Sequence, residues 1–210
     1  MLEHLCDVKI TAYTERAAGI SISKVDFSQI EQNALRAPDN EAAAKMNEKI
    51  EEIRKNSDSA GGIVACRITG IPAGLGEPVF GKLDAELAKA ILSVGAVKGI
   101  EFGAGFAVAK LTGSQNNDDI LNANGITRTN NAGGINGGIS NGNDIVFRVA
   151  VKPTPSISLP QKTYNFETKN VEELIIQGRH DLCIALRVPP IIEAATAIAL
   201  ADLSMICKRK

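Results

Sequence analysis

The stretch from Asn130 to Ser156, NNAGGINGGISNGNDIVFRVAVKPTPS, joins a glycine-rich segment to an apolar alternating run and a proline-rich turn. Its first thirteen residues, Asn130 to Gly142, hold five glycines and four asparagines. Glycine loses more backbone freedom on folding than any other residue, so this density predicts backbone of a special shape. Ile135 and Ile139 recur as apolar anchors in this segment, which favours a folded segment over a free linker.

The alternating run that follows predicts a strand with one apolar face. The residues on that face are Ile145, Phe147, Val149 and Val151. At its end, the two prolines of Lys152–Ser156 (KPTPS) restrict the backbone, while the Lys152 ammonium, the Thr154 and Ser156 hydroxyls and free amides could converge on a phosphate. A rigid β-turn without a ligand is the alternative interpretation.

A second short segment, Gly178–Asp181, reads GRHD and places a planar cation, an imidazole and a carboxylate after a glycine. Arg179 could bind an anion through two parallel hydrogen bonds, and Asp181 could accept a proton or orient a neighbour. The alternative is a loop salt bridge with His180 packed or facing solvent.

Periodicity elsewhere predicts strands at 7–14, 61–70, 98–113, 171–178 and 183–188, and helices within 36–56 and 75–99 and over 189–210. The apolar residues that share a helical face are Met46, Ile50 and Ile53 in the first helix and Leu83, Leu87 and Ile91 in the second. The last helix is expected to be mostly buried. Because the strands after Lys98 lack intervening helices, much of the sheet should be antiparallel, which indicates an α+β fold.

The composition is that of a soluble globular protein, with 44% hydrophobic and 22% charged residues. A net charge of −1 argues against a nucleic-acid binder. We find no apolar run near the ~20 residues of a membrane helix and no signal peptide, so a cytoplasmic location is expected. The four cysteines form no C-x-x-C pair and are expected to be free thiols, while two histidines, His4 and His180, are too few for a multi-histidine metal site.

Taken together and in this order, these segments resemble chorismate synthase. The resemblance also covers RAPDNEAAAKM (36–46), GIPAGLGEPVFGKLDAELAKAILSVGAVKGIEFGAGF (70–106) and GSQNND (113–118), and it runs from about Ala12 to Leu203. It implies a β-α-β sandwich with helices packed between mostly antiparallel sheets, here as one domain over 1–210. It also implies a cytoplasmic homotetramer that converts 5-enolpyruvylshikimate 3-phosphate to chorismate with reduced FMN, losing phosphate and a ring hydrogen.

The resemblance assigns roles residue by residue. It implies flavin contacts at Gly95 and Ala96, at Gly137, across Lys152, Pro153, Thr154, Pro155 and Ser156, and at Arg179. It implies that Asp181 assists proton transfer near the flavin. Relatives often have asparagine at the position of Gly95 and proline at that of Leu182. On this basis the glycine-rich stretch is ligand-facing backbone.

The family's N-terminal motifs, an SHG-type histidine and an RSSAR-type segment, do not occur in this sequence. The chain matches the C-terminal portion of the family pattern, and we expect it to be inactive alone because the histidines that act in the elimination are absent. The alternatives are a non-catalytic flavin- or anion-binding module, a fragment that only assembles with similar chains, and a structural protein without a ligand.

Overall fold

The computed structural model of the chain describes residues 7–207. His4 and Cys6 lie outside these residues, as do Lys208, Arg209 and Lys210, which were expected to suit the C-terminal end of the last helix. The strands are β1 Lys9–Ala17, β2 Ile20–Ser21, β3 Gly62–Thr69, β4 Val97–Phe102, β5 Ile135–Asn136, β6 Ile139–Ser140, β7 Ile145–Val151, β8 Gln161–Asn165 and β9 Asn170–Leu174. The α-helices are α1 Asn40–Lys55, α2 Leu83–Leu92, α3 Gly113–Asn116 and α4 Pro189–Cys207.

Three sheets account for these strands. Five strands form one sheet in the order β2-β1-β3-β7-β4, and β5–β6 and β8–β9 form two-stranded sheets. The β1–β2, β5–β6 and β8–β9 pairs are antiparallel. Helices and antiparallel strands in one chain confirm the predicted α+β class.

The chain groups into two compact units, each built from separate segments. Within the described residues, the first unit comprises 7–13, 64–150 and 188–207, and the second comprises 14–63 and 151–187. Three of the four boundaries between these segments fall within strands, in β1, β3 and β7, and the fourth follows Arg187. The single domain expected over 1–210 stays a prediction.

Helix α1 begins at Asn40, one residue after Asp39, and lies within the predicted range 36–56. The Asp39 side chain is almost fully buried and accepts hydrogen bonds from the backbone N–H groups of Glu41 and Ala42, which have no partner inside the helix. It also accepts from the Ser23 N–H at 2.9 Å and the Ser23 hydroxyl at 2.8 Å. These bonds, led by the Ser23 N–H, hold the pKa of Asp39 well below its ordinary value. One buried carboxylate therefore fixes both the helix start and a neighbouring loop.

The predicted apolar face of α2 is confirmed, because Leu83, Leu87 and Ile91 are fully buried. Helix α4 packs against α2 within the first unit. Its buried positions recur every three or four residues and include Ile192, Thr196, Ala199, Leu200 and Leu203.

The expectation that α4 is mostly buried is wrong. Only 33% of its apolar stretch is buried, and Ile198 is 71% exposed. Its two faces are both apolar, so sequence patterning could not tell the packed face from the exposed one. The expectation that no segment approaches membrane-spanning length is also wrong for Pro189–Cys207, which is long and apolar enough by length and composition alone. Core helices of soluble proteins pass the same test.

Strand β7 follows its prediction, with Ile145, Phe147, Val149 and Val151 buried. The strand predicted at 183–188 is wrong, because Ile184–Arg187 forms a 3-10 helix. Its apolar residues fill a buried corner: Ala185 is fully buried, and its Cβ lies where a Cβ on Gly62 would stand. A short buried apolar run has no period that separates helix from strand.

The strand predicted at 98–113 ends early, at Phe102. Gly103 and Gly105 follow with φ of +54° and +55°, and a 3-10 helix, Gly105–Lys110, replaces the rest. A Cβ at Gly103 would stand 2.1 Å from the Asn131 carbonyl oxygen, so glycine is required there. Strand β8 was not predicted, because Gln161–Asn165 is polar and exposed for most of its length.

Candidate functional site

The proline-rich turn after β7 is tied to two other segments of the second unit. Thr154 is buried, and its hydroxyl donates to the Asp181 carbonyl oxygen at 2.6 Å. The Thr154 carbonyl oxygen in turn accepts from the Ser59 hydroxyl at 2.6 Å. The Ala60 N–H donates to the Leu182 carbonyl oxygen at 2.7 Å and closes the same junction. The turn and the GRHD loop are therefore held together by hydrogen bonds and not only by packing.

The GRHD loop owes its shape to its glycine. Gly178 has φ of +142°, and a Cβ there would approach the His180 Nε2 atom to 3.0 Å. The two charged side chains that follow differ in exposure: Arg179 is exposed and Asp181 is half-buried. The Asp181 carboxylate forms an ion pair with Arg187, with Nη2 and Oδ1 3.0 Å apart. Asp181 is thus held from two sides, through its carbonyl oxygen by Thr154 and through its carboxylate by Arg187.

A cavity of about 1070 Å³ opens beside this loop. Arg54, Arg179 and Arg187 line it together with Asp181 and Thr154, and all five belong to the second unit. Three guanidinium groups against one carboxylate make the wall positive, and guanidinium groups bind phosphates and carboxylates in bidentate fashion. A cavity of this size and lining can hold a large anionic ligand.

The availability of Arg54 depends on its present partner. Its guanidinium lies 2.8 Å from the Glu51 carboxylate, with the two side chains 61% and 51% exposed. An exposed pair of this kind contributes little free energy, so an incoming anion can replace Glu51 at small cost.

A smaller cavity of about 180 Å³ adjoins the same loop and is lined by Ser59, Ser156 and His180 among others. His180 lines both cavities. Its Nε2 atom is buried and, in the part of the chain that the structure describes, has no hydrogen-bond partner. A buried polar atom left unpaired costs about 1–3 kcal/mol, so this nitrogen favours a ligand that can bond to it.

Cys183 also lines the larger cavity. Burial raises the pKa of the Cys183 thiol, and its Sγ lies 3.8 Å from the Gly61 carbonyl oxygen. The thiol is therefore protonated near neutral pH and is not an activated nucleophile.

The remaining predicted positions belong to the first unit. Gly95 and Ala96 form the turn between α2 and β4, where Ala96 has φ of +70°. Gly137 and Gly138 form the two-residue turn between β5 and β6 with φ of +59° and +84°, as a type I′ hairpin requires. A Cβ at Gly95 or Gly137 would meet no atom within 4 Å, so both positions face open space.

The glycine-rich segment around Gly137 is folded and hydrogen-bonded. The Asp118 carboxylate accepts from the Asn131 N–H at 2.7 Å, the Ala132 N–H at 2.9 Å and the Thr129 hydroxyl at 2.6 Å. Burial acts to raise the pKa of Asp118, but these three hydrogen bonds outweigh it and hold the pKa below its ordinary value. The segment is thus an anchored part of the first unit and not a linker.

The predicted site residues therefore fall into two sets. Thr154, Arg179 and Asp181 line the large cavity and Ser156 lines the small one, whereas Lys152, Pro153 and Pro155 belong to the same turn but line neither. Gly95, Ala96 and Gly137 lie in the first unit. Arg54 and Ser59 were missed, since neither lies in a motif and only the fold of the second unit brings them to the cavities.

No group of three histidine, cysteine, aspartate or glutamate side chains within residues 7–207 is placed to hold a metal ion.

Comparison with known proteins decides the family. Residues 1–205 match the family model described as chorismate synthase. The chain belongs to the chorismate synthase family.

Individual relatives agree with this assignment. The chorismate synthase of Desulfatibacillum aliphaticivorans is 50% identical over 195 residues, which cover 93% of this chain and 54% of the relative. That of Methanosarcina mazei is 50% identical over 201 residues, covering 93% and 55%. A crystal structure of a chorismate synthase superimposes with a TM-score of 0.76 at 27% identity, covering 94% of this chain and 56% of that one. The chain thus spans about half the length of the chorismate synthases it matches.

Proposed function

We propose that this chain carries the flavin-contacting C-terminal part of a chorismate synthase, which eliminates phosphate from 5-enolpyruvylshikimate 3-phosphate to give chorismate in the shikimate pathway. The observation that carries the proposal is the arginine-lined cavity beside the hydrogen-bonded junction of the Lys152–Ser156 turn and the GRHD loop. Both segments are motifs of the family to which the chain belongs.

The residues of this cavity fit reduced FMN, the cofactor that the family implies. Arg179 and Arg54 offer two guanidinium groups to a phosphate or to substrate carboxylates, and the unpaired His180 Nε2 offers a further hydrogen bond. When bound, reduced FMN supplies electron density to the substrate as its phosphate leaves.

The chain's own residues would bind and orient these anions and handle a proton. Asp181 is the proposed proton-transfer residue, because it lines the cavity and its main chain is anchored by the Thr154 hydroxyl. Its carboxylate has Arg187 as an exposed ion-pair partner, with Oδ1 and Nη2 3.0 Å apart. Gly95, Ala96 and Gly137 are proposed backbone contacts to the flavin. The open surroundings of Gly95 and Gly137 allow a ligand to approach the main chain there.

The proposal extends to the setting of the enzyme. We propose a cytoplasmic homotetramer that binds neither nucleic acid nor membrane, with the chain forming one domain of a β-α-β sandwich. The exposed apolar side of α4, including Ile191 and Ile198, is what a second layer of such a sandwich would cover.

A non-catalytic flavin- or anion-binding module is the second candidate. The observation that favours it is the shortage of acid–base groups, since the sequence has two histidines and, within residues 7–207, only His180 lies at the cavity. This candidate shares the ligand site and lacks the reaction.

An anaerobic titration of the 210-residue chain with reduced FMN, with and without 5-enolpyruvylshikimate 3-phosphate, tests the site. We expect a saturable change in the absorbance of the reduced flavin, with an affinity weakened about tenfold or more by Arg179→Gln, because a charge-assisted bidentate contact is lost. Arg16→Gln is the matched control, since Arg16 belongs to the same unit, bonds to Ser21 and lines neither cavity. Equal affinities for the unaltered chain, Arg179→Gln and Arg16→Gln would contradict the proposed ligand site and with it the proposed function.

A further inference from the structure

The β8–β9 hairpin exposes more apolar surface than a solvated hairpin needs. Both strands are exposed over most of their length. Tyr164, Phe166 and Val171 are 47%, 86% and 66% exposed. Contiguous exposed apolar residues rimmed by polar ones mark interaction surfaces in soluble proteins, and a lone two-stranded hairpin is only marginally stable without further packing.

The register of the hairpin assigns these residues to one face. Lys162 pairs with Glu173 and Tyr164 pairs with Val171, and residues directly opposite or two apart along a strand share a face. Phe166 extends the same face, because its ring stands edge-on to Tyr164 with centroids 5.4 Å apart. We call these five residues the Tyr164 face. The opposite face carries Thr163 and Glu172 and is more polar.

The charges of the Tyr164 face are not used within the described chain. Lys162 and Glu173 sit across from each other, yet neither side chain has an ion-pair or hydrogen-bond partner in residues 7–207. The face therefore carries one cation and one anion at the same level, beside an apolar pair, and its charges can complement those of an identical face.

We propose that the Tyr164 face is a contact surface between two copies of this chain. A two-fold axis lying between the two faces and parallel to the strands carries β8 of one copy over β9 of the other. Because Lys162 is in register with Glu173, and Tyr164 with Val171, this operation sets each lysine on the partner's glutamate position and each tyrosine on the partner's valine position. Such a contact is isologous, so each pairing occurs twice.

The geometry agrees with known sheet packing. Faces of two sheets pack about 10 Å apart with their strands within about 30° of each other, which side chains of tyrosine and valine size can span. The hairpin is small against the ~800 Å² that each partner contributes to a stable interface. The face therefore supports a concentration-dependent dimer by itself and a firmer contact where other surfaces join it.

The inference rests on the proposed function only in its homo-oligomeric part. The FMN titration reports the cavity, whereas the experiment below reports the hairpin, so the two can fail separately.

The test is charge exchange measured by light scattering and sedimentation of the 210-residue chain over a range of concentrations. Lys162→Glu sets glutamate against glutamate, and Glu173→Lys sets lysine against lysine, twice in each dimer. We expect each single variant to weaken self-association about tenfold or more. The double variant K162E/E173K should return to within about threefold of the unaltered chain. Thr163→Lys, a charge change on the opposite face, is the control and should leave association unchanged.

Mixing the two single variants separates an intermolecular contact from damage to the hairpin. In a mixed pair every glutamate faces a lysine, so K162E and E173K should form a heterodimer more readily than either variant associates with itself. Circular dichroism of each variant checks that it folds. A chain that is monomeric at all concentrations, single variants that associate as well as the unaltered chain, or a mixture that does not associate would each overturn the proposal.

Discussion

Thr154 is the residue at which three segments of the second unit meet. Its hydroxyl donates a hydrogen bond to the Asp181 carbonyl oxygen, and its own carbonyl oxygen accepts one from the Ser59 hydroxyl. The motif suggested that this hydroxyl could donate to a phosphate, but it already donates its hydrogen bond to Asp181. Thr154 is therefore placed to position Asp181 at the edge of the large cavity, which Thr154 itself lines.

Thr154→Val keeps the shape of the side chain and removes the donor, so the Asp181 carbonyl oxygen loses this part-buried hydrogen bond. We expect a loss of about 1–3 kcal/mol in the free energy of unfolding, measured by urea denaturation, and weaker binding of reduced FMN. Thr154→Ser retains the hydroxyl and should recover most of the FMN affinity. Equal FMN affinities for the valine and serine variants would show that the hydroxyl does not position the site.

Asp39 shows how a buried charge makes stability depend on pH. Its pKa is lowered in the folded chain, chiefly by the Ser23 N–H. A group with a depressed folded pKa stabilises fully above its unfolded pKa of about 3.9, and this contribution is lost as the pH falls towards the folded value.

Asp39→Asn removes the titration while keeping most of the side-chain volume. We expect it to lower the free energy of unfolding by about 1–2 kcal/mol at pH 7, because an amide nitrogen cannot accept the two hydrogen bonds that one carboxylate oxygen takes from Ser23. The gap between variant and unaltered chain should shrink as the pH is lowered from about 5 to 2. Urea denaturation at several pH values measures this gap. The exposed Glu41→Gln is the control, and a gap that is constant with pH would contradict the assigned role of the carboxylate.

At the scale of elements, α4 was predicted correctly as a helix and incorrectly as a buried one. Its sequence is apolar around most of its circumference, so only contact with α2 selects the buried face. The helix α1 and the strand β7 were predictable in more detail, because each alternates apolar and polar residues at its own period. The 3-10 helix at Ile184–Arg187 was not predictable, since its corner is created by Gly62, more than a hundred residues away.

The two faces of α4 should respond differently to truncation. Ile192 is fully buried, so Ile192→Ala should cost about 2–5 kcal/mol in the free energy of unfolding. Ile198 is 71% exposed, so Ile198→Ala should change this free energy by no more than about 0.5 kcal/mol. Thermal and urea denaturation of the two variants supply the comparison. Equal losses would mean that both faces of α4 are covered in solution.

At the scale of the whole molecule, the motifs predicted the family and only part of the site's construction. The Lys152–Ser156 turn and the GRHD loop stand out in the sequence and are joined in the second unit. Motif analysis could not identify Arg54. It reaches the cavity from the last turn of an amphipathic helix, where an arginine is typical of an ordinary solvated surface. Sequence indicates which segments bear chemistry, whereas the surrounding side chains depend on the fold.

The chain's share of the family length leads to the last prediction. It spans about half of the chorismate synthases it matches, 54% of the Desulfatibacillum aliphaticivorans protein for example. The elimination needs a group that protonates the leaving phosphate, and the family's histidines for this task are absent from the sequence. We expect the 210-residue chain to bind reduced FMN but to release no phosphate from 5-enolpyruvylshikimate 3-phosphate under anaerobic conditions. Phosphate release and chorismate absorbance measure the outcome, with the full-length Methanosarcina mazei relative as the positive control. Turnover near that of the control would mean that the cavity described here is sufficient for catalysis, with Asp181 or His180 supplying the proton.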